Sequence, residues 1–181
     1  MTRILTFSRQ MDAPKTSVFA LRPTVEEALA LLRAIVPSNI DIVFDPHDED
    51  SKVSGDASLL HQVVINLCTN SYQAMRRTGG ILAVRLHVAE NPTAVSLDPG
   101  RYATLEVTDS GHGMEPAVMA HIFEPFFTTR GVGDGTGLGL SVVHGIVTSM
   151  DGSITVESDI GLGTTFRVYL PVAPRTQEEI S

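Results

Sequence analysis

The chain has 181 residues, 43% hydrophobic and 19% charged, which fits a single globular domain and excludes a disordered chain. A formal net charge of −8 argues against a nucleic-acid groove, which needs a basic face. One cysteine, Cys68, rules out an internal disulfide framework or thiolate zinc cluster and suits a reducing compartment. No apolar run approaches the roughly 20 residues that span a bilayer, and no signal peptide opens the sequence.

Residues 1–11, MTRILTFSRQM, read as helix, with Ile4, Leu5 and Phe7 apolar. Nothing caps this helix, so the native chain is expected to continue upstream. A short strand is expected over 17–21. Thr24 and Glu27 then form a capping box, and Val25, Ala28, Leu29, Leu32, Ile35 and Val36 follow at helical spacing until Pro37. Residues 40–45 read as a strand and 46–50 as an acidic loop. Asp56 is the expected N-cap of the next helix, Arg76 and Arg77 suit its last turn, and Gly79 ends it. On that helix Leu60, Val63, Val64, Leu67, Ser71, Ala74 and Met75 form a mainly apolar stripe, with Gln62, Asn66, Asn70 and Gln73 as a polar ridge beside it. Strands are expected over 81–88 and 102–108, with Asp109 at the end of the second. A short helix is expected over 116–122, a long loop over 123–136 and a helix over 138–150. Residues 153–157 and 164–170 read as a hairpin, followed by a polar, frayed tail from Pro171. The pattern predicts a two-layer α/β sandwich with a mixed, mostly antiparallel sheet and helices on one face.

Three stretches suggest a common ligand. In GVGDGTGLGL (131–140), five glycines stand at alternate positions and a helical pattern starts inside the run. Backbone N–H groups at such a junction attract phosphate, though neither the dinucleotide fingerprint nor the P-loop spacing is present. A bland flexible loop is the alternative. Asn66 and Asn70, four apart on one helix, are neighbours whose amide oxygens suit Mg²⁺, or they are simply two polar surface residues. Asp109 in DSGHG is an acceptor-only group at a strand end; it would select adenine, whose 6-amine donates where guanine accepts, or it marks an ordinary acidic turn. Phe126 and Phe127 in a glycine-flanked loop suit a lid, and Arg130 suits a phosphate.

In order and spacing these stretches resemble the ATP-binding domain of sensor histidine kinases. HQVVINLCTNSYQAM (61–75) resembles the family's N box, DSGHGM (109–114) its first glycine box, IFEPFFTTR (122–130) its F box and GTGLGLSVVHGIV (135–147) its second glycine box. GTTFRVYLP (163–171) resembles the closing strand, and ILTFSRQ (4–10) the end of the second helix of the dimerisation and phosphotransfer domain. The resemblance implies the Bergerat sandwich shared with DNA gyrase and mismatch-repair ATPases. It divides the chain into the end of a dimerisation helix (1–14), a catalytic domain (15–172) and a tail (173–181). It implies that Asn70 holds Mg²⁺ with Asn66 assisting, that Asp109 binds the adenine amine, and that Thr164 supports it through water. Gly111 and Gly113 would give room beneath the base. Gly135, Thr136, Gly137, Leu138, Gly139 and Leu140 would surround the phosphates, with Phe126, Phe127 and Arg130 in the lid. Two positions depart from the pattern: Arg130 stands where many members carry Lys, and Gln73 where many carry Lys or Arg.

The family transfers phosphoryl to an H-box histidine, yet none of His47, His61, His87, His112, His121 and His144 has an H-E-x-x-N-P context. The chain therefore reads as a catalytic half that binds ATP and ADP with Mg²⁺ and phosphorylates a histidine on the dimerisation domain of its own full-length protein, for transfer to a response-regulator receiver domain. The expected setting is cytoplasmic, without nucleic-acid or membrane contact by this piece. The full-length protein, which could be membrane-anchored, would be a homodimer, and this piece a monomer. Two rival readings are a hydrolytic clamp-type ATPase, whose relatives carry Glu at position 66 as general base, and an ATP-sensing module without chemistry. Asn66 cannot serve as that base. The same substitution counts against the serine and mitochondrial kinases of this fold.

Overall fold

In the computed structural model, residues 16–47, 51–93, 96–129 and 137–174 are described. In chain order they form β1 (Ser17–Ala20), α1 (Leu21–Arg33), β2 (Ile40–Pro46), β3 (Lys52–Gly55), α2 (Ala57–Met75), β4 (Gly80–Glu90), β5 (Arg101–Asp109), α3 (Pro116–Met119), α4 (Gly139–Ser149), β6 (Ser153–Asp159) and β7 (Gly163–Pro171). The helix expected over 1–11 lies outside the described residues, as does the tail beyond Pro174.

Five strands make one sheet in the order β2-β4-β5-β7-β6, and only the β2–β4 pair is parallel. Alternation along each strand decides its faces. Leu82, Val84, Leu86, Leu105, Val107, Val168 and Leu170 point to the inner face and are at most 1% exposed. Onto them pack Leu60, Val63, Val64 and Leu67 of α2 and Val143 and Val147 of α4. Helix α2 lies between α1 and α4. This is the expected two-layer sandwich. The outer face carries charges in one row: Asp45–Arg85 at 3.7 Å, Arg85–Glu106 at 3.1 Å, Glu106–Arg167 at 2.7 Å and Arg167–Glu157 at 2.9 Å.

The α2 boundaries follow the sequence. Asp56 caps its start, accepting from the Ser58 N–H at 2.8 Å, and the Gly79 N–H closes its end on Met75 O at 2.8 Å. Arg76 and Arg77 stand just past the last turn rather than in it. Helix α1 corrects the expectation: its N-cap is Ala20, not Thr24, and it starts three residues before Thr24. The Leu21 N–H bonds to Ser51 O at 3.0 Å as the chain leaves β1, so tertiary pairing fixes the start. Thr24 Oγ1 instead donates back to Ala20 O at 3.3 Å, and no capping box forms. Strand β3 is an addition to the expected elements. It pairs with β1, and Val53 bridges to Val172 beyond the end of β7. Four residues are too few to show a period, and both partners are distant in sequence. That bridge, with the Ala173 N–H on Lys52 O at 2.7 Å, also holds down the chain just after Pro171, in place of the expected fraying. Helix α3 stops at Met119, shorter than the expected 116–122.

Candidate functional site

A cleft of about 800 Å³ opens between α2, the end of β5 with its following loop, the segment after α3 and the start of α4. Its wall includes Asn66, Asn70, Asp109, Gly113, Phe127, Gly137, Gly139, Leu140 and Thr164. Most of the expected site residues thus converge from five separate stretches of chain, Thr164 of β7 among them.

Asp109 sits at the floor. Antiparallel pairing of β5 with β7 sets it opposite Thr164. Both are buried, Asp109 at 3% and Thr164 at 6% exposed. Gly111 N–H donates to Asp109 Oδ1 at 2.9 Å. Burial pushes the carboxyl above its ordinary pKa; the Gly111 N–H, the nearby Ser71 hydroxyl, the Thr164 N–H and His112 pull it back down. The Ser71 hydroxyl stands beside this carboxylate, the one group among the described residues positioned to take its hydrogen. Ser158 Oγ donates to Gly163 O at 2.9 Å, so Thr164 is the donor in the 2.8 Å contact between the two hydroxyls. The Met114 N–H donates to the same Ser158 Oγ at 2.9 Å, tying the loop after β5 to the end of β6.

The two glycines after Asp109 serve packing. A Cβ on Gly111 would lie 2.7 Å from Ala74 Cβ, so the loop presses against α2; Gly111 itself is not on the cleft wall. Gly113 is on the wall, at φ +68°, and a Cβ there would collide with the backbone carbonyl oxygen of Asp159. Only glycine combines that backbone with that approach.

Across the cleft, α4 begins over the asparagine pair. Asn66 Nδ2 donates to Gly139 O at 3.3 Å, and Asn70 Nδ2 donates to Asn66 O at 2.9 Å. The oxygen ligand each side chain can offer a cation is its amide carbonyl. A Cβ on Gly139 would still be 3.9 Å from both side chains, so there is room above the pair. Gly137 has φ +66° and packs on the backbone of Phe126, whose N–H donates to Gly137 O at 3.0 Å. The structure separates the adjacent aromatics. Phe127 lines the cleft, 5.7 Å from the His121 ring, whereas Phe126 is 75% exposed and off the wall. Leu138 is likewise off the wall. Arg130, Gly135 and Thr136 lie outside the described residues.

Further polar groups stand on the wall beside the expected site residues, Ser71 and Gln73 of α2 among them. Ser71 belongs by spacing to an apolar stripe, and its being the one hydroxyl there is the signal the sequence offers. Gln73 lines the cleft, and its buried Oε1 has no hydrogen-bond partner.

The family described as histidine kinase-, DNA gyrase B- and HSP90-like ATPase matches residues 55–174. The chain belongs to this ATPase family. Among curated proteins, it is 36% identical to the sensor kinase CckA of Brucella abortus, covering 93% of this chain and 18% of that protein. It is 32% identical to the signal transduction histidine-protein kinase AtoS of Escherichia coli K12, covering 98% of this chain and 27% of that protein. The chain spans between 13% and 27% of the length of the curated relatives it matches. Among solved structures, a mycobacterial sensor histidine kinase, MprB, superposes with TM-score 0.71 at 27% identity, covering 88% of this chain and 99% of that one. The homologues of this ATPase domain are thus sensor histidine kinases, and its structural neighbours are their catalytic domains. No helix among the described residues is long and apolar enough to cross a membrane.

Proposed function

We propose that this ATPase domain binds Mg-ATP and donates its γ-phosphoryl to a histidine on a separate dimerisation domain, for onward transfer to a response-regulator aspartate. The observation that carries the reading is the convergence of Asp109, Thr164, Asn66, Asn70 and Gly139 on one cleft. That volume suits a nucleotide-sized ligand. Asp109 would accept from the adenine amine at the floor, with Thr164 helping through water. Asn70, assisted by Asn66, would hold Mg²⁺, and the backbone from Gly135 to Leu140 would face the phosphates; Arg130 would pair with one of them. Phe127 would flank the ligand. Bound Mg-ATP would supply the phosphoryl group and the means of neutralising its charge. The residues here would contribute position and electrostatics, the main levers in phosphoryl transfer. Transfer would break the bond to the β-phosphate oxygen and form one to an imidazole nitrogen, releasing ADP.

Asp109 is the single carboxylate among the described lining residues, and it lies at the proposed base end. With Asn at position 66, no carboxylate other than Asp109 lines the cleft among the described residues to activate water, which favours transfer over hydrolysis. Residues 1–14 would be the end of the dimerisation helix, 15–172 the catalytic domain and 173–181 a tail. The piece would act as a cytoplasmic monomer within a homodimeric full-length protein.

The test is a time course with γ-labelled ATP, using the chain alone and the chain with a histidine-containing dimerisation domain. Alone, the chain should neither label itself nor hydrolyse ATP quickly. With its partner, acid-labile and base-stable label should appear on the partner, slowly and in proportion to concentration, because the two are not tethered. Label on the chain alone, or acid-stable label on the partner, would falsify the histidine-kinase reading.

A further inference from the structure

Gln73 lies on the cleft wall, and its amide oxygen is buried with no hydrogen-bond partner among the described residues. Buried polar atoms are ordinarily satisfied. On α2 it continues the row begun by Asn66 and Asn70, about 4.5 Å along the axis beyond Asn70. The next residue, Ala74, packs against the loop that follows Asp109, for a Cβ on Gly111 would lie 2.7 Å from Ala74 Cβ. At the opposite end of the row, Asn66 reaches the start of α4 through Gly139 O. Gln73 therefore stands on the wall between the asparagine pair and Asp109. A nucleoside triphosphate with its phosphates at the first and its base at the second passes this point with its sugar.

We propose that Gln73 reads the sugar of the nucleotide: its Oε1 accepts a hydrogen bond from a ribose hydroxyl, 2′ or 3′, so that the cleft prefers ribonucleotides to deoxyribonucleotides. This rests on the ATP-binding reading above. The partner that Oε1 lacks is a donor. Phosphate oxygens are acceptors and cannot supply one. A lysine or arginine at this position carries donors only; it would pair with phosphate but could not receive the hydrogen of a hydroxyl. A sugar hydroxyl both donates and accepts, as a carboxamide does, so the two are matched. The amide turns about its last side-chain bond at little cost, which brings Oε1 round to the cleft. Its Nε2 then remains to donate to the neighbouring hydroxyl of the sugar.

The test is calorimetry on the full chain with Mg²⁺ and three triphosphates: ATP, 2′-deoxyadenosine triphosphate and 3′-deoxyadenosine triphosphate. They share base and phosphates and differ by one hydroxyl. One of the deoxy analogues should bind the unsubstituted chain about five- to tenfold more weakly than ATP, the scale of one hydrogen bond. Gln73→Met, close in length but without the amide, should weaken ATP by about that factor and bring it within about twofold of that analogue. Gln73→Glu keeps the acceptor; its charge should weaken all three through their phosphates, while the preference for the ribose survives. Ligand-free melting curves check that both variants fold. Neither analogue binding more weakly than ATP, a preference that persists in Gln73→Met, or one lost in Gln73→Glu would overturn the inference. So would an equal loss on all three in Gln73→Met, the result of a contact to phosphate or to metal-bound water. Each of these leaves ATP binding intact. Failure of the unsubstituted chain to bind ATP would overturn the functional reading itself and this inference with it.

Discussion

Replacing Asp109 by Asn is the sharpest probe of the cleft floor. The carboxylate has two acceptor oxygens, and Oδ1 already takes the Gly111 N–H at 2.9 Å. An amide keeps one acceptor. If its oxygen stays on Gly111, its NH₂ occupies the other position and faces the incoming 6-amine, donor against donor. The loss is then at least one charge-assisted hydrogen bond, roughly 1.5–3 kcal/mol. At about 1.4 kcal/mol per decade, ATP affinity should fall by about 10- to 100-fold. GTP behaves differently, because the new NH₂ can donate to its 6-oxo group, so the ratio of ATP to GTP affinity should narrow from both sides. Calorimetry with both nucleotides measures this, with the ligand-free melting curve as a check on folding. A variant that binds ATP within about twofold of the unsubstituted chain and keeps its preference over GTP would refute the reasoning.

Further expectations concern the metal, the glycines and pH. Asn70→Ala should abolish the strengthening of ATP binding by Mg²⁺ while the fold persists; calorimetry with and without Mg²⁺ decides, and a surviving metal effect would remove Asn70 as the ligand. Gly113→Ala should destabilise by about 3 kcal/mol or more, since it joins a left-handed backbone to a clash with the Asp159 carbonyl oxygen. Gly145→Ala in α4, with nothing within 4 Å of the added carbon, should instead stabilise by about 0.5–1 kcal/mol; urea denaturation reads both. Burial raises the Asp109 pKa above its ordinary 3.8, so the folded chain holds that proton more tightly than the unfolded one. The contribution of Asp109 to stability is therefore greatest below the unfolded value and is lost as pH rises through the raised folded value. Urea midpoints across this acid range should show that fall in the unsubstituted chain relative to Asp109→Asn, and parallel curves would contradict the shift.

Long periodic segments are legible from spacing alone. The stripe on α2 identifies six of the buried residues of that helix, from Leu60 to Met75 with Ser71 included. The strands β4 to β7 show themselves by alternation and by glycine at their turns. What spacing does not carry is non-local. Lys52–Gly55 becomes strand only because Ser17–Ala20 lies beside it, and Thr24 loses the cap because pairing at Ser51 starts the helix earlier. At the cleft, spacing turns Ser71 inward but does not reveal that the interior there is polar. Neighbouring Phe126 and Phe127 share one expected role as lid residues, but the positive φ of Phe126, +66°, turns the backbone between them and sends one ring out and the other in.

The row of charges on the outer face of the sheet makes mutational tolerance depend on position across it. Asp45, Arg85, Glu106, Arg167 and Glu157 alternate in sign, beginning and ending in a carboxylate. Neutralising any one carboxylate leaves two cations and two anions, but at either end it breaks one pair of the row and at Glu106 it breaks two. Neutralising Glu106, the keystone, leaves Arg85 and Arg167 on strands two apart, roughly 10 Å from each other with no carboxylate between them, near the screening length at physiological salt. Drift in sequence thus costs less at the rim of this face than along its midline. On a surface that looks uniformly polar, the three inner members of the row, Arg85, Glu106 and Arg167, each hold two partners in it and the two outer carboxylates one.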